Sequence, residues 1–95
     1  MAAYVIVHVE VTNPAEYEQY KKMSPTSIEA YGGRFLARGG ATEVLEGHWQ
    51  PKRLVLLEFP SAEVARTWWA SPEYAPAKAL RDATANSELV LIEGV

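Results

Sequence analysis

The chain contains no cysteine, which excludes disulfide bonds, thiol catalysis and metal sites built on thiolates, and which favours a reducing compartment. Its nine Lys and Arg residues form no basic run and are outnumbered by twelve Asp and Glu residues, so a nucleic-acid partner is not expected. No apolar run approaches the roughly 20 residues that span a bilayer. We therefore predict one cytoplasmic domain over residues 1–95, with no membrane partner.

Apolar residues make up 48% of the chain, which is ample for a globular core. Hydrophobic periodicity and breaker residues predict the element order β-α-β-β-α-β. The predicted strands cover residues 3–11, 34–46, 53–59 and 88–94, and the predicted helices run from Pro14 to Gly32-Gly33, over 62–70 after Ser61, and from Ser71-Pro72 to about Ala85.

Two breakers lie inside predicted elements. Pro25 lies within the first helix and predicts a kink or a restart, because proline lacks the N–H that the helix needs. The pair Gly39-Gly40 lies within the second strand and predicts a bulge or a bend there.

Right-handed crossovers leave one economical topology for this order, the ferredoxin-like split βαβ arrangement: an α+β fold with a four-stranded antiparallel sheet and helices on one face. In the first strand, valines line the helix-facing side. Tyr4, Ile6, His8 and Glu10 line the other. That second side is too apolar for bulk water, so we expect a homodimer that docks sheet to sheet as a dimeric α+β barrel, with a closed space between the sheets.

Several motifs occur together along the chain: GGRFLARGG (32–40), EGHW (46–49), RLVLLEFPSAEVARTWWASPEY (53–74), Arg81 and EGV (93–95). In these motifs the chain resembles the Domain of Unknown Function 1330 family of small dimeric α+β barrel proteins. The resemblance covers essentially the whole chain and implies fold and dimerisation but no reaction.

More distantly, the chain resembles the antibiotic-biosynthesis-type monooxygenases of the same barrel class. In that class, a helix motif of the form His…Ser-Pro-His/Phe lines the pocket. This chain has Trp68 where the histidine would fall and Tyr74 at the aromatic position.

Trp68 and Trp69 are adjacent, and a helix turns about 100° per residue, so the two indoles cannot point the same way. We expect one to pack in the core between helix and sheet. The other would reach a pocket mouth or the dimer edge, where its N–H finds a partner. The alternative is that both are plain packing residues.

His8 and Glu58 are the candidate catalytic residues. A histidine mid-strand on the barrel face suits a general base, although a satisfied structural histidine is the alternative. Glu58 is an acid within the apolar strand LVLLEF, where a carboxylate needs a partner, either catalytic or structural such as Arg38. We expect His8 and Glu58 to form a hydrogen-bonded pair in which the Glu58 anion orients the imidazole.

Arginines and aromatics supply the candidate ligand contacts. Arg38 would hold a ligand carboxylate through its forked guanidinium. Arg81 is expected on roughly the same helix face as Tyr74, and the alternative is that it caps strand ends with a hydrogen bond. The full predicted ligand-binding set is Tyr4, Arg38, Trp68, Trp69, Tyr74 and Arg81.

The two histidines, His8 and His48, lack metal-ligand spacing, and no phosphate loop or dinucleotide fingerprint occurs, so no metal or cofactor is predicted. Three function classes remain open: a cofactor-independent enzyme on a small metabolite, a non-catalytic binding module, and a dimerisation scaffold. A large pocket between sheet and helices, or between subunits, favours the first two over the third.

Overall fold

The structure is a computed structural model that describes residues 1–95. Its four strands form one antiparallel sheet in the order β2-β3-β1-β4, with three helices. This confirms the predicted α+β, ferredoxin-like class. The elements are β1 (Ala3–Val11), α1 (Pro14–Ala30), β2 (Arg34–Arg38), β3 (Arg53–Phe59), α2 (Ala62–Trp69), α3 (Ala75–Thr84) and β4 (Ala85–Glu93).

The core lies between the helices and one face of the sheet. Val5, Val7 and Val9 of the central strand β1 are buried there, as the alternation predicts. From β3, Val55, Leu57 and Phe59 join the same layer. The opposite face, which we call the open face, carries no helix.

Capping residues set the helix ends as predicted. The Asn13 side chain accepts the backbone N–H of Glu16, and the Ser61 hydroxyl accepts that of Val64. Helix α1 ends in a Schellman motif, in which Gly32 adopts the left-handed conformation (φ +72°) and the Gly33 N–H donates to the Ile28 carbonyl.

Helix α1 runs unbroken through Pro25, so the predicted restart is wrong. Pro25 leaves the Lys21 carbonyl, four residues earlier, without its helical donor. The Arg38 guanidinium donates a hydrogen bond to that carbonyl through Nη2. A side chain from β2 therefore replaces the helix hydrogen bond that proline removes, which allows the helix to continue.

Arg38→Ala should lower the free energy of unfolding by about 1 kcal/mol, because the Lys21 carbonyl loses its donor. In a Pro25→Ala background the same change should cost clearly less, because an alanine N–H at position 25 bonds that carbonyl itself. Urea unfolding of the four-member cycle measures the coupling. Arg34→Ala removes the same charge from the same strand, and equal coupling of position 34 to position 25 would contradict this explanation.

The second strand is much shorter than predicted, and the chain bends at Gly39, in the pair where a bulge or a bend was expected. The strand ends at Arg38, and the bulge falls between Phe35 and Ala37. Gly39 adopts φ +69° and donates its N–H to the Leu54 carbonyl, after which the chain leaves the sheet. Residues 39–52 form an exposed β2–β3 loop.

The segment after α2 also departs from the prediction. Ser71 begins a turn, accepting the Tyr74 N–H on its hydroxyl and donating to the Trp68 carbonyl. Helix α3 therefore starts only at Ala75, and β4 begins at Ala85, directly after the helix ends. None of the three helices is both long enough and apolar enough to cross a membrane.

Candidate functional site

Trp68 and Trp69 have different environments. Trp68 is 1% exposed, and its indole N–H donates to the Ser27 hydroxyl at 3.2 Å. Its ring packs 4.3 Å from the Tyr74 ring, centroid to centroid. Trp69 is 45% exposed, and the Lys78 ammonium lies 3.2 Å from its ring centroid. The expected division between a core indole and a surface indole is confirmed.

An apolar cavity of about 160 Å³ lies beneath α2, against β1 and β4. Both indoles line it, so Trp69 reaches a pocket as well as the surface. Arg66 is its only charged lining residue, and the cavity opens partly to solvent. The lining consists of Val5, Ala65, Arg66, Trp68, Trp69, Leu89 and Leu91. We call it the apolar cavity.

On the α1 and α3 side of the core, a buried chain of hydrogen bonds joins Arg81, Tyr74 and Tyr20. The Arg81 Nη1 donates to the Tyr74 hydroxyl at 2.7 Å, and the two tyrosine oxygens are 2.9 Å apart. Tyr74 is fully buried and Arg81 is 4% exposed. Burial raises the pKa of the Tyr74 phenol well above its ordinary value, so Tyr74 stays a neutral partner for the arginine.

A second, smaller cavity of about 20 Å³ lies between α1 and the sheet. Its lining includes Tyr17, Tyr20 and Lys21 from α1, Arg38 from β2 and Arg53 from β3. Eight of its twelve lining residues are hydrophobic, counting the two tyrosines, and we call it the polar cavity after its three cationic side chains. Trp68 borders both cavities and separates them.

The prediction that His8 and Glu58 form a hydrogen-bonded pair is wrong. Both residues lie on the open face, but His8 is opposite Leu54 and Glu58 is opposite Tyr4. Four residues of strand therefore separate them, about 13 Å at roughly 3.3 Å per residue. The antiparallel register sets this distance, and it cannot be read from one strand alone.

Each of the two candidates has another partner. The Glu58 carboxylate accepts from Arg34 Nε at 2.7 Å. The His8 Nε2 accepts the backbone N–H of Lys52 at 3.1 Å, and its ring meets Trp49 edge to face. Each of the two candidate catalytic residues therefore makes a structural contact on the open face.

The predicted ligand-binding residues do not form one site. Tyr4 lies on the open face, and Arg38 donates a hydrogen bond to the Lys21 carbonyl of α1. Tyr74 and Arg81 belong to the buried hydrogen-bond chain, which leaves Trp68 and Trp69 as the members that line the apolar cavity.

Sequence reasoning missed Tyr17, Tyr20 and Arg53 as site residues. Arg53 starts the strand that continues with Val55, Leu57 and Phe59, so its alternation already places the guanidinium on the helix-facing side. The structure brings no three His, Asp or Glu side chains together as metal ligands.

A family model described as "Domain of unknown function (DUF1330)" matches residues 2–95. No curated protein matches the chain.

Solved structures share the fold at low identity. RPA0582, a protein of unknown function from Rhodopseudomonas palustris, has a TM-score of 0.79 and 19% identity over 99% of this chain and 82% of its own. SnoaB, a cofactor-independent oxygenase from Streptomyces nogalater, has a TM-score of 0.69 and 16% identity over 99% of this chain and 93% of its own. A conserved protein of unknown function from Bacteroides thetaiotaomicron has a TM-score of 0.64 and 16% identity over 98% and 97%. At these identities the likeness shows the fold alone.

Proposed function

The chain belongs to the DUF1330 family, and from that premise we propose that it is a small-molecule-binding protein that holds a one-ring aromatic compound in the apolar cavity. The observation that carries this proposal is the cavity itself, about 160 Å³ in a domain of only 95 residues. An apolar cavity of about 150 Å³ accommodates benzene. Protein interiors are close-packed and contain few voids larger than a water molecule.

The lining supports an aromatic ligand. Trp69 offers a half-exposed ring at the cavity, and Trp68 forms an inner wall. Offset or edge-to-face contact with an indole adds about 0.5–1.5 kcal/mol beyond the burial of apolar area. Arg66 is the one charged residue that lines the cavity, and its guanidinium could pair with an acidic substituent on the ring.

Toluene titration followed by methyl NMR tests this proposal. Saturable shifts are expected at the methyls of Val5, Leu89 and Leu91, and none at Leu45, which is 89% exposed in the β2–β3 loop. Leu89→Trp should fill the cavity and abolish the shifts. Equal shifts at Leu45, or no saturable shift at the cavity methyls, would contradict aromatic binding there.

We also propose that the protein is a homodimer that docks through the open face. The molecule is a slab with principal extents of 34 × 32 × 16 Å, so the face of the slab exceeds the roughly 800 Å² per partner that a standard interface buries. Ile6, Val90 and Ile92 are exposed on it, and the β2–β3 loop beside it exposes Leu45 and Trp49. A second copy of the sheet would cover these groups, as apolar sheet faces require.

Ile6→Lys should weaken the dimer at least about a hundredfold, because two symmetry-related ammonium groups would lose water in the interface. Analytical ultracentrifugation of the unchanged chain should give about twice the 10.5 kDa chain mass. Thr67→Lys adds the same charge at an exposed position of α2 and should leave the dimer intact. A monomer at micromolar concentration, or equal weakening by both variants, would refute the proposal.

Cofactor-independent catalysis is the second candidate function, and the shared fold with SnoaB favours it. We place it second because the His8–Glu58 pair that would handle protons is not formed. A bare dimerisation scaffold ranks third, because it gives the apolar cavity no role. The cytoplasmic location, which the lack of cysteine favours, stays a prediction.

A further inference from the structure

We propose that the polar cavity is a binding site for a small oxyanion, with Arg53 as its principal ligand and the carboxylate group of a small molecule as the favoured occupant. This site is independent of the apolar cavity, since Trp68 separates the two.

The charged side chains that line the polar cavity are all cationic. Lys21, Arg38 and Arg53 all line the polar cavity, and no Asp or Glu does. Lys21 pairs with Glu18 on the exposed side of α1 at 3.0 Å, and Arg38 donates to the Lys21 carbonyl. Arg53 forms no ion pair, and the Tyr17 phenol beside it is neutral, so no anionic side chain compensates its charge.

Arg53 is half-buried, and its Nε is the part of the guanidinium that lies inside the protein. Its Nε is shielded from solvent and has no hydrogen-bond acceptor. Gly39, in its left-handed conformation, makes room for it, because a Cβ at that position would lie 2.0 Å from Arg53 Nη1. A buried donor without an acceptor costs about 1–3 kcal/mol, and more when it is charged. An anionic acceptor in the cavity would remove this cost.

Neutral hydroxyl groups that can donate hydrogen bonds also line the polar cavity. Tyr17 lies beside Arg53, whose Cζ is 5.8 Å from the Tyr17 ring centroid. Burial raises the pKa of the Tyr17 phenol, an effect that Arg53 only partly offsets, so Tyr17 keeps its proton to donate. Tyr20 and Ser24 add hydroxyls to the same lining.

Size selects the kind of anion. At about 20 Å³ the polar cavity holds roughly one water-sized group. One carboxylate oxygen fits that space while the rest of the ligand stays outside. A tetrahedral phosphate is bulkier around the entering oxygen than a planar carboxylate, so we expect carboxylates to bind more tightly than phosphate.

The test is a titration of the unchanged protein with sodium acetate, and separately with inorganic phosphate, at constant ionic strength with chloride as the balancing ion. The Nε–H NMR signal of Arg53 is the readout. Acetate should shift it saturably in the millimolar range, while the Arg34 Nε–H, held by Glu58 on the open face, should not respond. A response to phosphate alone would support an oxyanion site whose occupant is inorganic.

Arg53→Gln should weaken acetate binding at least about tenfold, measured on the ring signals of Tyr17 and Tyr20. Arg34→Gln is the matched control and should leave binding unchanged. Tyr17→Phe keeps the ring and should weaken binding by a smaller factor, which provides a second variant if Arg53→Gln unfolds. No saturable shift with either anion, or equal loss in Arg34→Gln, would overturn the proposal.

Discussion

Replacing Trp68 by alanine lowers the free energy of unfolding by about 3–5 kcal/mol, the cost of removing a fully buried aromatic side chain and leaving a cavity. The Trp68 ring packs on Phe59 and Tyr74 at centroid distances of 5.1 and 4.3 Å, and its N–H loses the Ser27 hydroxyl as well. Removal of this side chain would also merge the two cavities that it separates.

The same substitution at Trp69 should cost only about 1 kcal/mol or less, because this indole is 45% exposed and loses mainly its cation–π contact with Lys78. Urea unfolding followed by far-UV circular dichroism, at one fixed protein concentration, compares the variants without relying on tryptophan emission. Trp49→Ala, which removes a 60% exposed indole from the β2–β3 loop, is the control. Equal large losses at Trp68 and Trp69 would show that both are core residues.

Tyr74→Phe should cost about 2–3 kcal/mol, although it removes a single oxygen atom. The Arg81 Nη1 would lose its acceptor at a position that is only 4% exposed, and a buried charged donor without a partner is expensive. Tyr20→Phe should cost less, because the Tyr74 hydroxyl still accepts from Arg81 when the Tyr20 hydroxyl is removed.

Arg81→Met in the Tyr74→Phe background provides the decisive comparison. Replacing both partners by apolar groups of similar shape removes the unsatisfied donor, so much of the loss should be recovered. Thermal or urea unfolding of the four-member cycle gives the coupling energy. If Tyr20→Phe and Tyr74→Phe cost the same, or if the double variant shows no recovery, the buried chain is not organised around Arg81.

The fold was predictable because its signals are local. Strand β1 alternates over nine residues, and Asn13 and Ser61 precede their helices with side chains that can accept the first free N–H groups. The departures arise from long-range contacts. Helix α1 continues through Pro25 because Arg38, thirteen positions later in the chain, supplies the missing donor.

The candidate site was less predictable, because it depends on register. His8 and Glu58 each alternate onto the open face as expected, but the pairing of β1 with β3 places them four residues apart. Arg53 is two residues before the buried Val55, so the alternation of β3 places this charged residue on the helix-facing side of the sheet. A pattern read along one strand shows which face a residue occupies and not which residue lies opposite it.

The sequence by itself determined the fold class, the helix caps, the helix-facing row of β1 and the fact that Trp68 and Trp69 point in different directions. These follow from the period of the side chains and from backbone groups only a few residues away. Only the tertiary structure decided where β2 ends, which of the two indoles is buried, and which group replaces the missing donor at Pro25. It also decided that Arg53 lies beside Tyr17 at a cavity. Those features depend on the relative placement of distant segments, and a side-chain cavity exists only once helices and sheet have packed together.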